Sequence, residues 1–502
     1  MKKLNYKTLE ETGYEGYILK DAPVRVLQFG EGNFLRAFVD YFFDLANERG
    51  AFFGKCALVQ PIATGLTDII NEQEGLYTLY LRGSEGGETV DRRRVISSVA
   101  KCLNPYDFGN YNEIMRIAAS PELEYIVSNT TEAGIVYDPA CSLEDTPASS
   151  FPGKLTQVLL ARYNAGGSGL VILSCELIDN NGAELLRCVN KYIELWGLDE
   201  DFARYVNEEC VFATTLVDRI VPGRVRSAEQ IAKIEAECGY TDALVDVGEV
   251  FGVWVIEGDE ALAEKLPFRR AGITEVSVVP DVTPYKKRKV RILNGAHTGT
   301  VLSAYLGGFD IVRNCMKNPN IAGFMDKMLK EEILPILPSE CEGSAEFAAA
   351  VRDRFSNPFI DHALLDISLN SVSKWRARNM PSLLEYTKKF GRLPECLTYG
   401  FAALIAFYNS NASELCAEGL RCRRPNGDEY LCRDDRWVLE FFYENRAMKP
   451  EELVPAVAKN TAMWGQDLSE TPGFVELATK YLKRIKNAGA ISAMGSAIWC
   501  IK

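Results

Sequence analysis

Val26-Leu-Gln-Phe-Gly30-Glu-Gly32-Asn33-Phe34-Leu-Arg36-Ala-Phe38 is the stretch that decides the fold. Val24 to Phe29 reads as a short apolar strand, and Gly30 and Gly32 follow at once. From Asn33 a helical pattern runs through Phe34, Phe38, Tyr41, Phe42 and Leu45 and stops near Gly50. Strand, glycine turn and helix open a dinucleotide-binding unit. The glycines let the backbone approach a pyrophosphate, and the helix N-terminus supplies free N–H groups and a positive dipole end. The third glycine of the full G-x-G-x-x-G pattern is Leu35 here, and a lone G-x-G also serves as a plain tight turn. On the ligand-binding reading, Phe29, Gly30, Gly32, Asn33, Phe34 and Arg36 are candidate cofactor-binding residues.

Outward from this motif, β-like runs alternate with helical ones up to about residue 280. Cys56 to Gln60, Leu76 to Leu81, Tyr125 to Asn129, Leu170 to Ser174 and Val253 to Ile256 read as strands, and Leu155 to Tyr163 and Ala183 to Trp196 as helices. Such alternation predicts a largely parallel sheet covered by helices, with Arg92 to Val99 as an antiparallel addition. After Pro284 the pattern is helical, in Lys286 to Tyr305, Ile321 to Leu334, Ala345 to Phe355 and several later segments. The expectation is an α/β, Rossmann-like dinucleotide-binding domain over 1–280 and a mainly α-helical substrate domain over 281–502, the boundary falling at Pro280 to Pro284.

Several polar segments follow predicted strands, where an α/β sheet binds its ligands. Ser128-Asn129-Thr130-Thr131-Glu132-Ala-Gly134 follows one strand and offers Asn129, Thr131 and Glu132 to a cofactor. Ser174-Cys175-Glu176-Leu177-Ile178-Asp179-Asn180-Asn181-Gly182 follows another. Thr215-Leu-Val-Asp218-Arg219 carries an Asp beside an Arg. Asn181 and Asp218 are candidate substrate contacts. Each segment also reads as an ordinary turn, Asn-Asn-Gly in particular.

A second constellation lies at Lys289-Val-Arg-Ile-Leu-Asn294-Gly-Ala-His297. A potential base, an amide and one of only two histidines stand within nine residues, a set suited to moving a proton on and off an alcohol oxygen. Regular helical spacing puts Asn294 and His297 about 60° apart and Lys289 roughly 80° from His297. The same stretch also reads as a solvated basic run, Lys286 to Lys289, leading into a core helix. Arg354, Lys374, Arg376 and Arg378, with the second histidine, His362, are either surface charges or a local cationic pocket.

Composition narrows the function classes. The 502 residues are 47% hydrophobic and 25% charged, an ordinary globular balance with room for two sizeable cores. The net charge of −13 argues against nucleic acid as a partner and requires any anionic substrate to find locally concentrated cations. No apolar run is long enough to span a bilayer, and no apolar stretch follows the N-terminal lysines, so a membrane partner and a secretory signal are not expected. The 14 cysteines are scattered and read as reduced thiols. With no C-x-x-C and two histidines, no metal site is expected.

Taken together, the segments Gln28 to Phe38, Ser128 to Gly134, Cys175 to Asp179, Thr215 to Val221, Lys289 to His297 and Arg354-Phe-Ser-Asn-Pro358 resemble the mannitol dehydrogenase family of long-chain polyol dehydrogenases. The Lys-x4-Asn-x2-His element is specific to that family, and the glycine motif with Asn33-Phe34-Leu35-Arg36 is similar to its tagaturonate-reducing branch. The resemblance implies a cytoplasmic, metal-independent, NAD-linked oxidoreductase acting on a small hexuronate, as a monomer or small homo-oligomer. Fructuronate and mannitol are the alternative substrates. A nucleotide-binding regulatory protein without catalysis is the alternative from another class, and the joint presence of Lys289, Asn294 and His297 argues against it. The resemblance further implies that Lys289 is the general acid/base, that Asn294 holds the reacting oxygen, that His297 orients the substrate and that Lys374 matches a substrate-binding lysine; the need for a local cation makes Lys374 and His362 the expected holders of a uronate carboxylate, with Arg36, Arg376 and Arg378 as alternatives. Three departures stand out. Leu177 occupies the place of a second oxygen-binding asparagine, for which Asn181 is a substitute. Asp366 occupies the place of a hydroxyl-binding arginine, and no acidic residue follows the second strand at Leu58-Val-Gln60-Pro61.

Overall fold

In the computed structural model, which describes residues 1–131 and 133–498, the chain forms two compact units. One comprises Met1–Arg82 and Val90–Val282, the other Gly83–Thr89 and the chain from Thr283 onward.

The first unit is built on an eight-stranded sheet. Its strands, in a chain numbering that includes a smaller second sheet, are β1 (Val24–Phe29), β2 (Lys55–Val59), β5 (Val99–Leu103), β6 (Tyr125–Ser128), β7 (Val171–Ser174), β8 (Val211–Asp218), β10 (Val253–Glu257) and β11 (Val276–Val279). The spatial order is β11-β10-β8-β7-β6-β1-β2-β5. Pairings are parallel from β5 through β8; β10 runs antiparallel to β8 and parallel to β11. β2, β6 and β7 are buried along their whole length, as parallel strands covered on both faces must be. β1 lies between β2 and β6, so the chain's strand order reverses there, the place where such sheets leave a crevice for a ligand.

Each face of the sheet has its own core. On one, Phe38, Phe42, Trp254 and Phe268 pack ring against ring, with centroids 5.0 Å (Phe38–Phe42), 5.7 Å (Phe38–Trp254) and 5.4 Å (Trp254–Phe268) apart. On the other, Phe29 meets Phe151 at 5.1 Å above Leu155, Val158 and Leu159 of the helix Phe151–Asn164. The run expected at Leu76 to Leu81 is a strand but does not join this sheet. β3 (Tyr77–Glu85) pairs instead with β4 (Glu88–Ile96) and β9 (Asp246–Glu249) in the smaller sheet, ordered β4-β3-β9.

The second unit is mainly helical. The rod Thr283–Lys289, Val290–Asn294 and Gly295–Leu306 packs through its buried last segment against the helix Glu395–Tyr408, which in turn packs on Phe474–Ala488. An uninterrupted helical pattern after Pro284 is corrected at one place. β12 (Glu414–Cys416), β13 (Gly419–Arg423) and β14 (Glu429–Cys432) form an antiparallel sheet, its second turn made by Asn426-Gly427 with Gly427 at φ +100°. Cys416, Cys422 and Cys432 lie on these strands. Among the described residues no group of three or more His, Cys, Asp or Glu is placed to hold a metal ion, and no helix is long and apolar enough to cross a membrane.

Arg36, in the short helix Asn33–Ala37 that follows β1, joins that helix to the smaller sheet. It is 0% exposed and donates to the Leu244 carbonyl at 2.8 Å and the Asn33 side chain at 2.6 Å, with Asp246 at 3.4 Å. Burial pushes the Asp40 carboxyl up to about 7 and Asp246 up to about 6, against the opposing pull of Arg36. Arg36→Met leaves these carboxylates without that cation and is expected to cost about 3–5 kcal/mol. The loss shrinks as pH falls through the region where both become neutral; denaturant unfolding at pH 8 and at pH 5.5 measures it.

Candidate active site

At the end of β1 the turn is held by neighbouring strands. Gly30 N–H donates to the Val59 carbonyl at 2.9 Å, and Asn129 N–H to that of Phe29 at 3.1 Å. Gly30 has φ +123°, and a Cβ there would stand 2.9 Å from Leu35 Cδ1 and 3.0 Å from the Asn129 carbonyl oxygen. Only glycine meets both constraints. Gly32 differs: a Cβ there would meet nothing within 4 Å, so the backbone borders open space at the start of the helix Asn33–Ala37. That combination, a pinned glycine and an open one at the switch point of a parallel sheet, suits an extended diphosphate lying along the backbone.

Glu176 is a contributor that the sequence reading left without a role. Its buried carboxylate accepts from Ser128 Oγ (3.1 Å), Thr130 N–H (3.0 Å) and Thr130 Oγ1 (3.1 Å), so it fastens the loop after β6. Burial raises its carboxyl above the ordinary range despite these donors. Asn129 Nδ2 donates to the Cys175 carbonyl at 2.8 Å, and Thr131 takes a left-handed conformation, φ +71°. Glu132 lies outside the described residues. No acid follows β2, where Gln60 is occupied with Thr67 Oγ1 and the Ile62 carbonyl, both at 2.8 Å. The carboxylate at this loop is Glu31, which lies against Gly65, a signal present within Gly30-Glu-Gly32 itself.

Two expected contacts, Arg36 and Asn181, are corrected here. The Phe29 ring is core, packed on Phe151, so only its backbone faces the turn. The Arg36 guanidinium is turned inward, which makes it a support for the turn rather than a phosphate ligand. Asn181 is 1% exposed and its amide is saturated: Nδ2 donates to the Glu176 and Thr215 carbonyls, and Oδ1 accepts from Gly182 and Thr215 N–H. It therefore cannot replace the oxygen-binding asparagine missing at Leu177, whose side chain is itself 62% exposed. Asp218 ends β8, buried, and Arg219 beside it donates to the carbonyls of Ala37 and Phe251 beneath the rings of Phe38, Tyr41 and Phe42, so Arg219 serves the fold. Asn33 and Phe34 start the helix after the turn; Asn33 accepts from Arg36, and Phe34 stacks on Phe38 at 5.0 Å.

In the second unit the decisive feature is the segment Val290–Asn294, which is a π-helix, with Gly295 N–H donating to the Val290 carbonyl five residues back. Such a turn acts as one residue inserted into an α-helix and sets later positions back by about 100°. Regular spacing would spread Lys289, Asn294 and His297 over roughly 140°; with the insertion they fall within about 60°. Packing holds the wider turn. Arg291 donates to Ser382 Oγ at 2.7 Å and Glu385 at 3.0 Å, and the buried Asn379 amide donates to the Gly295 carbonyl at 3.1 Å. Lys287 pairs with the same Glu385 at 3.5 Å, and Arg288 lies over Tyr285 and Phe347, so these two members of the basic run are held by contacts within the second unit.

His297 is 8% exposed and stacks on Phe355 at 4.1 Å, with the His362 ring edge-on at 5.3 Å. Its Nε2 is buried without a hydrogen-bond partner among the described residues. Burial first, and then the charges of His362, Arg354, Arg378 and Lys374, hold its pKa well below the usual value, so the ring is neutral at pH 7. His362 is lowered too, by burial and then, against the pull of Asp366, by Lys374. The 12 residues between His362 and Lys374 are bridged by a turn. The short helix Leu364–Ile367 ends, Asn370 takes φ +55°, and the helix Ser371–Arg378 begins, with Lys374 Nζ donating back to the Ile367 carbonyl at 2.9 Å. Around His297 the structure thus gathers a neutral imidazole, the second imidazole and a concentration of cations, in a protein of charge −13.

Comparison with known proteins agrees with this layout. Residues 24–270 match the mannitol dehydrogenase Rossmann domain, and residues 281–486 the mannitol dehydrogenase C-terminal domain. The chain belongs to the mannitol dehydrogenase family. It is 39% identical to the altronate oxidoreductase of Bacillus subtilis (strain 168), over 100% of this chain and 99% of that one. It is 41% identical to the altronate oxidoreductase of Klebsiella pneumoniae (strain 342), over 97% and 99% respectively. Among solved structures, Pseudomonas fluorescens mannitol 2-dehydrogenase in ternary complex with NAD and D-mannitol shares the fold, with TM-score 0.66, 22% identity and 98% coverage of both chains. A substrate-free D-sorbitol dehydrogenase does so with TM-score 0.75, 20% identity and coverage of 98% and 100%.

An unperturbed histidine is half protonated near about pH 6.5. In a ring-nitrogen NMR titration of the folded protein, both histidines are expected to titrate below an unperturbed imidazole, His297 the further of the two. As pH falls, the unfolded chain takes up these protons first. The stability contributed by the neutral rings is therefore full above about pH 6.5 and is lost below it, and His297→Gln should reduce that slope.

Proposed function

We propose that the chain is an NAD-dependent oxidoreductase interconverting D-tagaturonate and D-altronate. The observation that carries this reading is the π-helical turn that brings the helix positions of Lys289, Asn294 and His297 onto one face, with the cations Arg354, Arg378 and Lys374 around His297. Full-length similarity to altronate oxidoreductases supports the substrate.

The dinucleotide is assigned to the first unit, along Gly30, Gly32 and the backbone of Asn33 and Phe34, with Asn129 and Thr131 at the adjoining strand end. The open space at Gly32 fits it. Glu31, against the loop after β2, is the acidic group we assign to disfavouring a 2′-phosphate, hence NAD over NADP. When bound, the nicotinamide supplies or takes back the hydride.

The substrate is assigned to the second unit. As the ketone is reduced, negative charge grows on its oxygen; the Asn294 amide donates to that oxygen and Lys289 delivers the proton. In the reverse direction Lys289 removes it. His297, neutral and with Nε2 unsatisfied, bonds a substrate hydroxyl, and Lys374 and His362 border the same space. A cytoplasmic location accompanies the reading, and 13 described cysteines are unpaired.

NADH oxidation measured with tagaturonate, fructuronate and fructose tests the assignment. Tagaturonate should give the highest kcat/KM; a preference for fructuronate would transfer the protein to the stereoisomeric reaction. Lys289→Ala should lower turnover by at least ~10²-fold while NADH still binds; near-normal turnover at every pH would remove Lys289 from its role. Gly32→Val should weaken NADH binding strongly with the second unit still folded, as read by fluorescence titration and melting.

A further inference from the structure

Resting on the hexuronate reading above, we propose that Arg378 receives the substrate carboxylate and sets the preference for a uronate over a neutral ketose. Arg378 ends the helix Ser371–Arg378, half-buried, and its Nη1 donates to Thr298 Oγ1 at 3.2 Å. Among the described residues no carboxylate lies within ion-pair distance of it. The surrounding cations are accounted for differently. Lys287 and Arg291 share Glu385, Arg424 pairs with Asp310, and Arg313 pairs with Asp361 at 2.6 Å. Arg376 is turned toward Gly465, and Lys374 is anchored on the Ile367 carbonyl. A half-buried guanidinium without a counter-ion, in a chain of charge −13, is a costly arrangement unless an anion joins it. Burial lowers its pKa and no acidic neighbour opposes this, in line with the geometry.

The rod itself provides a ruler. Thr298 lies four residues beyond Asn294, one helical turn or about 6 Å along the same face. In a six-carbon keto acid with ketone and carboxylate near opposite ends, the two are separated by roughly 5 Å of zigzag chain, four C–C bonds. A ketone oxygen at Asn294 therefore places the carboxylate at the level of Thr298, where Arg378 is held. Between them in the chain stands His297, whose buried Nε2 lacks a partner among the described residues and is available to an intermediate hydroxyl. The planar guanidinium offers a two-bond match to a carboxylate that a lysine ammonium cannot reproduce.

The test is steady-state kinetics of the full-length protein with NADH, using tagaturonate and fructose. Arg378→Met should raise the KM for tagaturonate by about ten- to a hundredfold with kcat at saturation little changed, and should cost much less with fructose. Arg378→Lys should recover part of the loss. Equal losses on both substrates, or an unchanged KM for tagaturonate, would overturn the assignment and leave Arg378 as a support for Thr298. If Arg378→Met does not fold, Arg378→Lys and Thr298→Val carry the test under the same criteria. If the unaltered protein reduces no hexuronate, the substrate reading fails first, an outcome distinct from a uronate reductase indifferent to Arg378.

Discussion

The widened turn at Val290–Asn294 is the constraint on which the account depends. A π-helical turn is rare because its hydrogen bonds and packing are poorer than those of an α-helix, and it persists only when the surroundings enforce it. Here they do. Arg291 is fixed by Ser382 and Glu385, and the Asn379 amide holds the Gly295 carbonyl where the regular helix resumes. The return on this local cost is angular. Three side chains that a regular helix would spread over roughly 140° fall within about 60°. The turn thus links packing energy in the second unit directly to the chemistry assigned to it.

Charge is handled by the same logic of burial. In the first unit, Arg36 and Arg219 are buried cations with backbone carbonyls, Asp246 and aromatic faces as partners, so they serve the fold. In the second, Arg378 is half-buried with a hydroxyl as its partner and no carboxylate among the described residues. Burial lowers both histidines, which keeps the imidazoles neutral beside those cations and removes two competing charges from the same space. An anion entering that region completes the electrostatics instead of disturbing them.

Much of the fold was legible because its signals are local. Strand, Gly30, Gly32 and helix follow within fifteen residues, and the demand for glycine at position 30 comes from its own φ and from the adjacent strand end. Lys289, Asn294 and His297 were legible as a set, but their true arrangement was not. Angular spacing assumes a regular helix, and the extra residue in the turn is imposed by Ser382, Glu385 and Asn379, nearly a hundred residues later in the chain. Arg36 illustrates the same limit: its carbonyl partner, Leu244, is 208 residues away, so a buried structural arginine looked like a phosphate ligand. Asn181 failed likewise, its amide being consumed by Thr215 on a neighbouring strand. The sheet β12–β14 carried a readable Asn426-Gly427 turn that was outweighed by the helical character of the sequence around it.

A crystal structure of the protein with NAD and altronate tests the central claim most directly. The account predicts Gly295 N–H bonded to the Val290 carbonyl, and Lys289 Nζ and Asn294 Nδ2 both within hydrogen-bond distance of the one hydroxyl oxygen that is oxidised. A regular helix with Gly295 N–H on the Arg291 carbonyl, or a reacting oxygen held by residues other than Lys289 and Asn294, would contradict it.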